Sequence, residues 1–184
     1  MVSSVANLKS TLGPGARASK YKILLSFPTG GGASAQDSQK VDLLCKSASF
    51  PSVTVGRIEV WTQGRKQIIP GETEFDNSWT LTFYQEQGHD LRSRFLDWMK
   101  NMDDWFKNKH TCTPQDWMVD ASIVQMGCGD NNSYQDNAAG TATYKFYDLF
   151  PTEVTAVDVD DSNINTLQEF QVTFAYTSWE KVEG

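Results

Sequence analysis

The sequence predicts a mainly β, α+β fold: an antiparallel β-sandwich or barrel with one α-helix packed on its flank. Three observations carry this. About seven or eight segments alternate apolar and polar residues at the period of a strand. Only one stretch, residues 88–108, has a strong apolar stripe at helical spacing. The joining segments are mostly short, of the kind that link antiparallel neighbours.

Taken in order, the first eighteen or so residues, small and polar with "GPG" at 13–15, read as a loose arm. "YKILLSF" (21–27) places Tyr21, Ile23, Leu25 and Phe27 on one face, as a half-buried strand does. "TGGGASAQDS" (29–38) has loop composition. In "QKVDLLCKSASF", Val41, Leu43 and Cys45 alternate with Lys40, Asp42 and Lys46, which predicts a strand pairing with the first. Residues 52–71 hold two β-prone runs around "TQG" (62–64) and predict a projecting hairpin. "NSWTLTFYQ" (77–85) turns Trp79, Leu81 and Phe83 inward. In the helix, Leu91, Phe95, Trp98, Met102 and Trp105 form the stripe, with Asp90 as expected N-cap. Residues 117–126 and 141–150 predict strands around a Gly/Asn loop at 127–140. The last strand, 167–179, sets Phe170, Val172, Phe174 and Tyr176 inward. No internal repeat or linker divides the chain, so residues 1–184 read as one domain, with 1–18 the arm.

Composition narrows the function. A net charge of −7 opposes free-standing binding to nucleic acid or to anionic membrane, which both need cationic surface. It leaves room for a role in which DNA passes nearby without being gripped. Three cysteines, Cys45, Cys112 and Cys128, are an odd number without close pairs and point to a reducing compartment. The N-terminal stretch has no apolar signal core, and no run approaches the ~20 apolar residues that span a bilayer. A soluble protein made in a cytoplasm is expected.

Motifs for chemistry are weak. Asp158, Asp160 and Ser162, with Glu169 twelve positions into the run, imitate a calcium loop. Asn163 stands where the sharp turn wants Gly, and the flanks are strands rather than helices. Asp158, Asp160 and Asp161 read better as residues that turn the chain into the final strand. His110, Cys112 and Cys128 match no common zinc spacing and lack a fourth ligand. His89-Asp90 and the serines come without a nucleophile elbow, and "GGG" at 30–32 lacks the Lys of a phosphate loop. No cofactor and no enzymatic activity are expected.

Two surfaces stand out instead. On the hairpin, Arg57, Arg65 and Lys66 flank Trp61, with Glu59, Glu72 and Glu74 close by, which suits protein contact or a plain solvated hairpin. The outward residues of two strands, Thr80 and Thr82, then Gln171, Thr173, Ala175 and Thr177, are small and polar. Free sheet surfaces and edges normally carry long charged residues, so this smooth face suits close contact with something else.

Read together, "LLCKSASFPSVTVGRIEV", "RKQIIPGETEFDNSWTLTF", "HDLRSRFLDWM" and the run from "YKFYDLFPTEV" to "FQVTFAYTSWE" resemble the tail tube proteins of contractile-tailed bacteriophages. The resemblance covers residues 18–180 in unbroken order. It implies a fold shared with the type VI secretion tube protein, and hexameric rings whose strands join into one continuous barrel. It implies that the rings stack into a tube inside the tail sheath protein. Tube-initiator proteins of the baseplate, a tape-measure protein in the lumen and genome DNA passing through would then be the other partners, and the protein would reside in the virion. It implies an inter-ring contact through the hairpin, on Arg57, Glu59, Trp61, Arg65 and Lys66. The smooth face, with Thr80, Thr82, Gln171, Thr173 and Thr177, suits a lumen. A baseplate tube initiator, a type VI-like tube protein and a monomeric β-sandwich binding module are the alternatives.

Overall fold

The computed structural model describes residues 5–12, 16–28, 35–107, 109–110, 113, 116–126, 142–160, 162 and 164–182. A short helix α1 (Val5–Leu12) precedes the body. The body is two antiparallel sheets that share one long strand. Sheet A contains β1 (Tyr21–Leu25), β8 (Val119–Gln125), the first part of β9 (Ala142–Val154) and β11 (Ser178–Val182). Sheet B contains the end of β9, β10 (Glu169–Ala175), β5 (Ser78–Tyr84) and β2 (Cys45–Ala48). The path β1–β8–β9–β10–β5–β2 does not close into a barrel.

Strand β9 changes sheets at Asp148, whose φ of 56° bends the backbone. Before the bend it pairs with β8 and β11; after it, Leu149 still meets Val119 of β8, and from Phe150 on the strand pairs with β10. The final strand predicted as one run makes the same passage. It breaks at Tyr176 and Thr177 into β10 and β11, one in each sheet. The inward series nonetheless holds, since Phe170, Val172, Phe174 and Tyr176 are all buried.

Aromatic rings fill the space between the sheets. Trp79 from sheet B stacks on Phe146 from sheet A at 4.4 Å between centroids. Helix α3 (Asp90–Met102) closes the core by burying Leu91, Phe95 and Trp98. Phe95 meets Phe83, Phe170 and Phe174. Burial of such side chains contributes roughly 1.5–3 kcal/mol each. The stripe is shorter than its spacing predicts. The helix stops at Met102, the two-residue strands β6 (Asp103–Asp104) and β7 (Lys109–His110) follow, and Trp105 is exposed. Asp90 does not cap the helix. His89 holds the cap position in the left-handed region, with no side-chain cap of its own. The free Leu91 N–H donates instead to the Glu86 carboxylate at 2.8 Å, and Lys40 bridges Glu86 and Asp90.

The segment expected to pair with β1 is a helix, α2 (Ala35–Leu44), and the β2 that follows pairs with β5. Of the three residues predicted to face inward, Val41 is fully buried, Leu43 is 80% exposed and Cys45 is intermediate. A strand register would have put all three on one face. "AQDSQKVDLL" is rich in helix formers and has one β-branched residue. Its buried Asp37 and Val41 and the half-buried Leu44 follow helical spacing. Asp37 is buried and paired with Arg94 at 3.6 Å. Asp42 accepts the outward N–H of Ile23 at 2.8 Å, so α2 covers part of the free edge of β1. The Tyr21 hydroxyl donates to the Cys45 carbonyl and ties β1 to β2 across the open side.

Candidate functional site

The hairpin of β3 (Val53–Thr62) and β4 (Arg65–Phe75) stands apart as its own two-stranded sheet. Gln63 and Gly64, both at positive φ, form its turn, as a two-residue hairpin requires. Where β4 carries one residue more than β3, Gly71 and Gly56 come together. A Cβ on Gly71 would lie 3.1 Å from the Gly56 carbonyl, so the strands cross this closely only without one. Val53, Val55, Ile58, Val60, Trp61, Ile68, Ile69 and Phe75 are all exposed. The register puts Trp61 opposite Lys66 and Ile58 opposite Ile69, so both faces of the hairpin show apolar surface. Monomeric proteins rarely expose contiguous apolar surface of this kind.

Of the five hairpin residues expected at a contact, Glu59, Trp61 and Lys66 share one face near the tip, Arg57 lies further down that face, and Arg65, opposite Thr62, falls on the other face. Glu59 and Lys66 pair at 2.5 Å. Arg57 and Arg65 have no ion-pair partner among the described residues.

On sheet B the polar residues lie in facing rows, Thr177 excepted. Thr80 lies opposite Thr173, their hydroxyls 3.3 Å apart, and Thr82 lies opposite Gln171. Ser47 extends the Thr82 row onto β2, and Glu153 extends the Thr173 row onto β9. The rows lie on the face opposite the Trp79–Phe83 core. The lysine that reaches this face, Lys46, is held by Glu169 at 2.6 Å, and that hydrogen bond raises its pKa. Thr177 lies apart, at the corner where the chain leaves sheet B, its N–H bonded to the Tyr147 carbonyl.

After β9 the chain turns as expected. The Asp160 carboxylate accepts from the Ser162 N–H at 2.9 Å and from its hydroxyl at 2.7 Å, and these bonds hold it below the usual carboxylate range. Asp161, Asn163, Cys112 and Cys128 lie outside the described residues. Among the described residues, no group of three His, Cys, Asp or Glu is placed to hold a metal. Nor is any helix long and apolar enough to cross a membrane. What sequence reasoning did not single out is the loop beyond the turn, where Val159, Ile164 and Leu167 are exposed beside Asp158. The signal was present: four apolar residues in 157–167 with no Lys or Arg.

A smooth polar sheet face, an apolar hairpin and an open sheet path define a structural subunit built for contact. The fold agrees with solved components of contractile injection machines. It matches a chain in the sheath/tube terminator of the extracellular contractile injection system PVC, with a TM-score of 0.60 at 15% identity, covering 91% of this chain and 96% of that one. It matches a chain in the PVC sheath–tube complex with a TM-score of 0.57 at 14% identity, covering 98% and 99%. The sequence itself matches the model of the family described as phage tail tube protein over residues 16–182, and the chain belongs to that family. It is 28% identical over 142 residues to the tail tube protein gp19 of Enterobacteria phage T4, covering 77% of this chain and 82% of that one. It is 21% identical over 160 residues to the tail tube protein of Serratia phage KSP90, covering 87% and 85%. The chain is thus a structural component of a tail tube.

Proposed function

We infer that this chain acts by self-association, six copies to a ring and ring upon ring, to form the hollow inner tube of a contractile tail. The observation that carries this is sheet B. One face holds the aromatic core, the other a ladder of Ser, Thr and Gln in which Lys46 is already neutralised. Such a face suits a lumen, because DNA phosphates find no free ammonium on it to grip. Its outer strands, β2 and residues 150–154 of β9, have no further strand partner among the described residues. Joining such edges between copies removes a feature that is a liability in a monomer. The hairpin, with Trp61, Arg57, Arg65, Glu59 and Lys66, makes the contact between rings.

In this role the tail sheath protein surrounds the tube, baseplate tube-initiator proteins start it, and the tape-measure protein occupies it before genome DNA passes. Assembly takes place in the host cytoplasm. Negative-stain images of the purified protein test the proposal: hollow tubes of uniform width are expected, and a persistent monomer at high concentration would sink it. Trp61→Ala with Arg65→Glu should leave a folded subunit that stacks poorly; normal-length tubes would remove the hairpin from the inter-ring contact. A chain in the anti-feeding prophage baseplate has the same fold, with a TM-score of 0.60 at 10% identity, which favours a tube initiator as second reading. An initiator would form rings without extending into long tubes.

A further inference from the structure

If the hairpin docks on another copy, that copy must present a surface to receive it. We propose that the receiving surface is carried by Asp158, Val159, Ile164 and Leu167 between β9 and β10, so that the hairpin tip of one subunit seats on these residues of the next. The proposal rests on the reading that the hairpin makes a contact between copies.

The first observation is chemical. Val159, Ile164 and Leu167 are each about two-thirds exposed or more. The chain from 146 to 180 contains no Lys or Arg. Asp158 has no ion-pair partner among the described residues. With Asp160, Thr166, Leu167, Gln168 and Glu169 it lines a shallow concavity of about 340 Å³. The hairpin has the complementary chemistry: exposed Trp61 and Ile68 on one face with Arg57 further down it, and Arg65 beside the turn on the other face. The exposed aromatic pair at Trp105 and Phe106 is a poorer seat. Lys100 lies over the Phe106 ring at 5.7 Å and Lys107 is paired with Asp104 at 3.6 Å, so the charge there is balanced and offers a basic tip no net attraction.

The second observation is topological and independent of charge. In sheet B, Ser78 pairs with Ala175 at one end and Tyr84 with Glu169 at the other. The hairpin joins the sheet at the Ser78 end, through Phe75, Asp76 and Asn77. The loop joins it at the Glu169 end. Hairpin and loop therefore leave opposite ends of one sheet, separated by roughly 20 Å at ~3.3 Å per residue. A contact between two different patches at opposite ends of a subunit is heterologous. It repeats from copy to copy without closing on itself, which is how a stack grows.

The test uses the full-length protein and pelletable tube as readout, with tube length from negative-stain images. Arg65→Glu and Asp158→Arg should each lower tube yield about tenfold or more, the scale of a lost and reversed interfacial charge pair. The double variant should recover most of it. A second measurement does not depend on charge: Trp61→Cys with Leu167→Cys in one chain should give an oxidative ladder of cross-linked subunits that neither single variant gives. If Arg65→Glu impairs assembly while Asp158→Arg does not, the hairpin contacts another copy elsewhere, and the loop assignment is overturned while the inter-ring contact stands. Loss in both variants with neither rescue nor ladder also overturns the pairing. If Arg65→Glu and Trp61→Ala both assemble normally, the hairpin contact falls, and the pairing with it.

Discussion

Two tryptophans seven positions apart, Trp98 and Trp105, share the predicted apolar stripe but not the same surroundings. Trp98 is 2% exposed, and its indole N–H donates to the Trp117 carbonyl at 2.8 Å. Its ring contacts Phe27 and Phe174. Trp105 is 51% exposed and touches Phe106 beyond the end of α3. Replacing a fully buried Trp by Ala costs about 3–5 kcal/mol through lost transfer energy and the cavity left behind. Against a typical total of roughly 5–15 kcal/mol, that is a large share. Trp98→Ala should therefore lower the melting temperature by roughly 6–20 °C, at about 2–4 °C per kcal/mol for a chain of this size. Trp105→Ala should cost about 1 kcal/mol or less. Thermal and urea unfolding followed by circular dichroism, at a concentration too low for assembly, give the melting temperatures and the free energies. Equal losses, or a larger one at Trp105, would show that the helix and its stripe run on as the spacing alone suggests, and would refute the placement of the helix end.

Asp42→Ala removes the charged acceptor of the Ile23 N–H and should cost about 1–2 kcal/mol in the same unfolding assay, with Asp42→Asn losing less. The Cys45 thiol is pushed up to about 11 by burial. In a Cys112→Ser, Cys128→Ser background its alkylation at pH 8 should run roughly a hundredfold slower than that of a free thiol, by loss of thiolate. Since the hydrogen bond to Glu169 raises the Lys46 pKa, the pair's contribution is fully present below the ordinary lysine value and lost as pH rises through the raised one. Its removal by Lys46→Met should barely move the urea midpoint at neutral pH, because the pair is solvent-exposed. Gly71→Ala forces the hairpin strands apart at Gly56; the melting temperature should stay close to that of the parent while tube yield falls, read by sedimentation.

Much of this was legible from period alone. The strands at 77–85 and 167–179 alternate cleanly because one face is buried and the other is not, and each predicted inward residue is buried. The hairpin was legible from "TQG", because few turns accept two successive residues at positive φ. Helix α2 was not, because its first turn falls in a stretch of loop composition and its inward face includes Asp37, a carboxylate that pairs with Arg94. Nor was the path of β9. "LFPTEV" gives no sign that Pro151 lies in a strand, yet Pro151 pairs with Phe174 beside a register shift, where a missing N–H is tolerated. For the surfaces, sequence placed side chains on a face but could not say what a face meets. Thr177 follows the same parity as Thr173 and still falls outside the array, because the chain turns into sheet A.

The division of apolar residues between core and hairpin separates folding from assembly. The core rings of Trp79, Phe83, Phe95, Phe146, Phe170 and Phe174 are buried within one subunit and need no second copy. The hairpin's Ile, Val and Trp side chains stay between about a third and two-thirds exposed, so they add less to the stability of the free subunit than the core rings do. A two-stranded hairpin alone is also marginal in water, since it lacks a covered face. Its apolar surface is left for association, where the same removal from water acts between copies. Substitutions there should move assembly and leave unfolding unchanged, whereas substitutions at Phe95 or Trp79 should move both, because the surfaces that meet other copies are carried on that core.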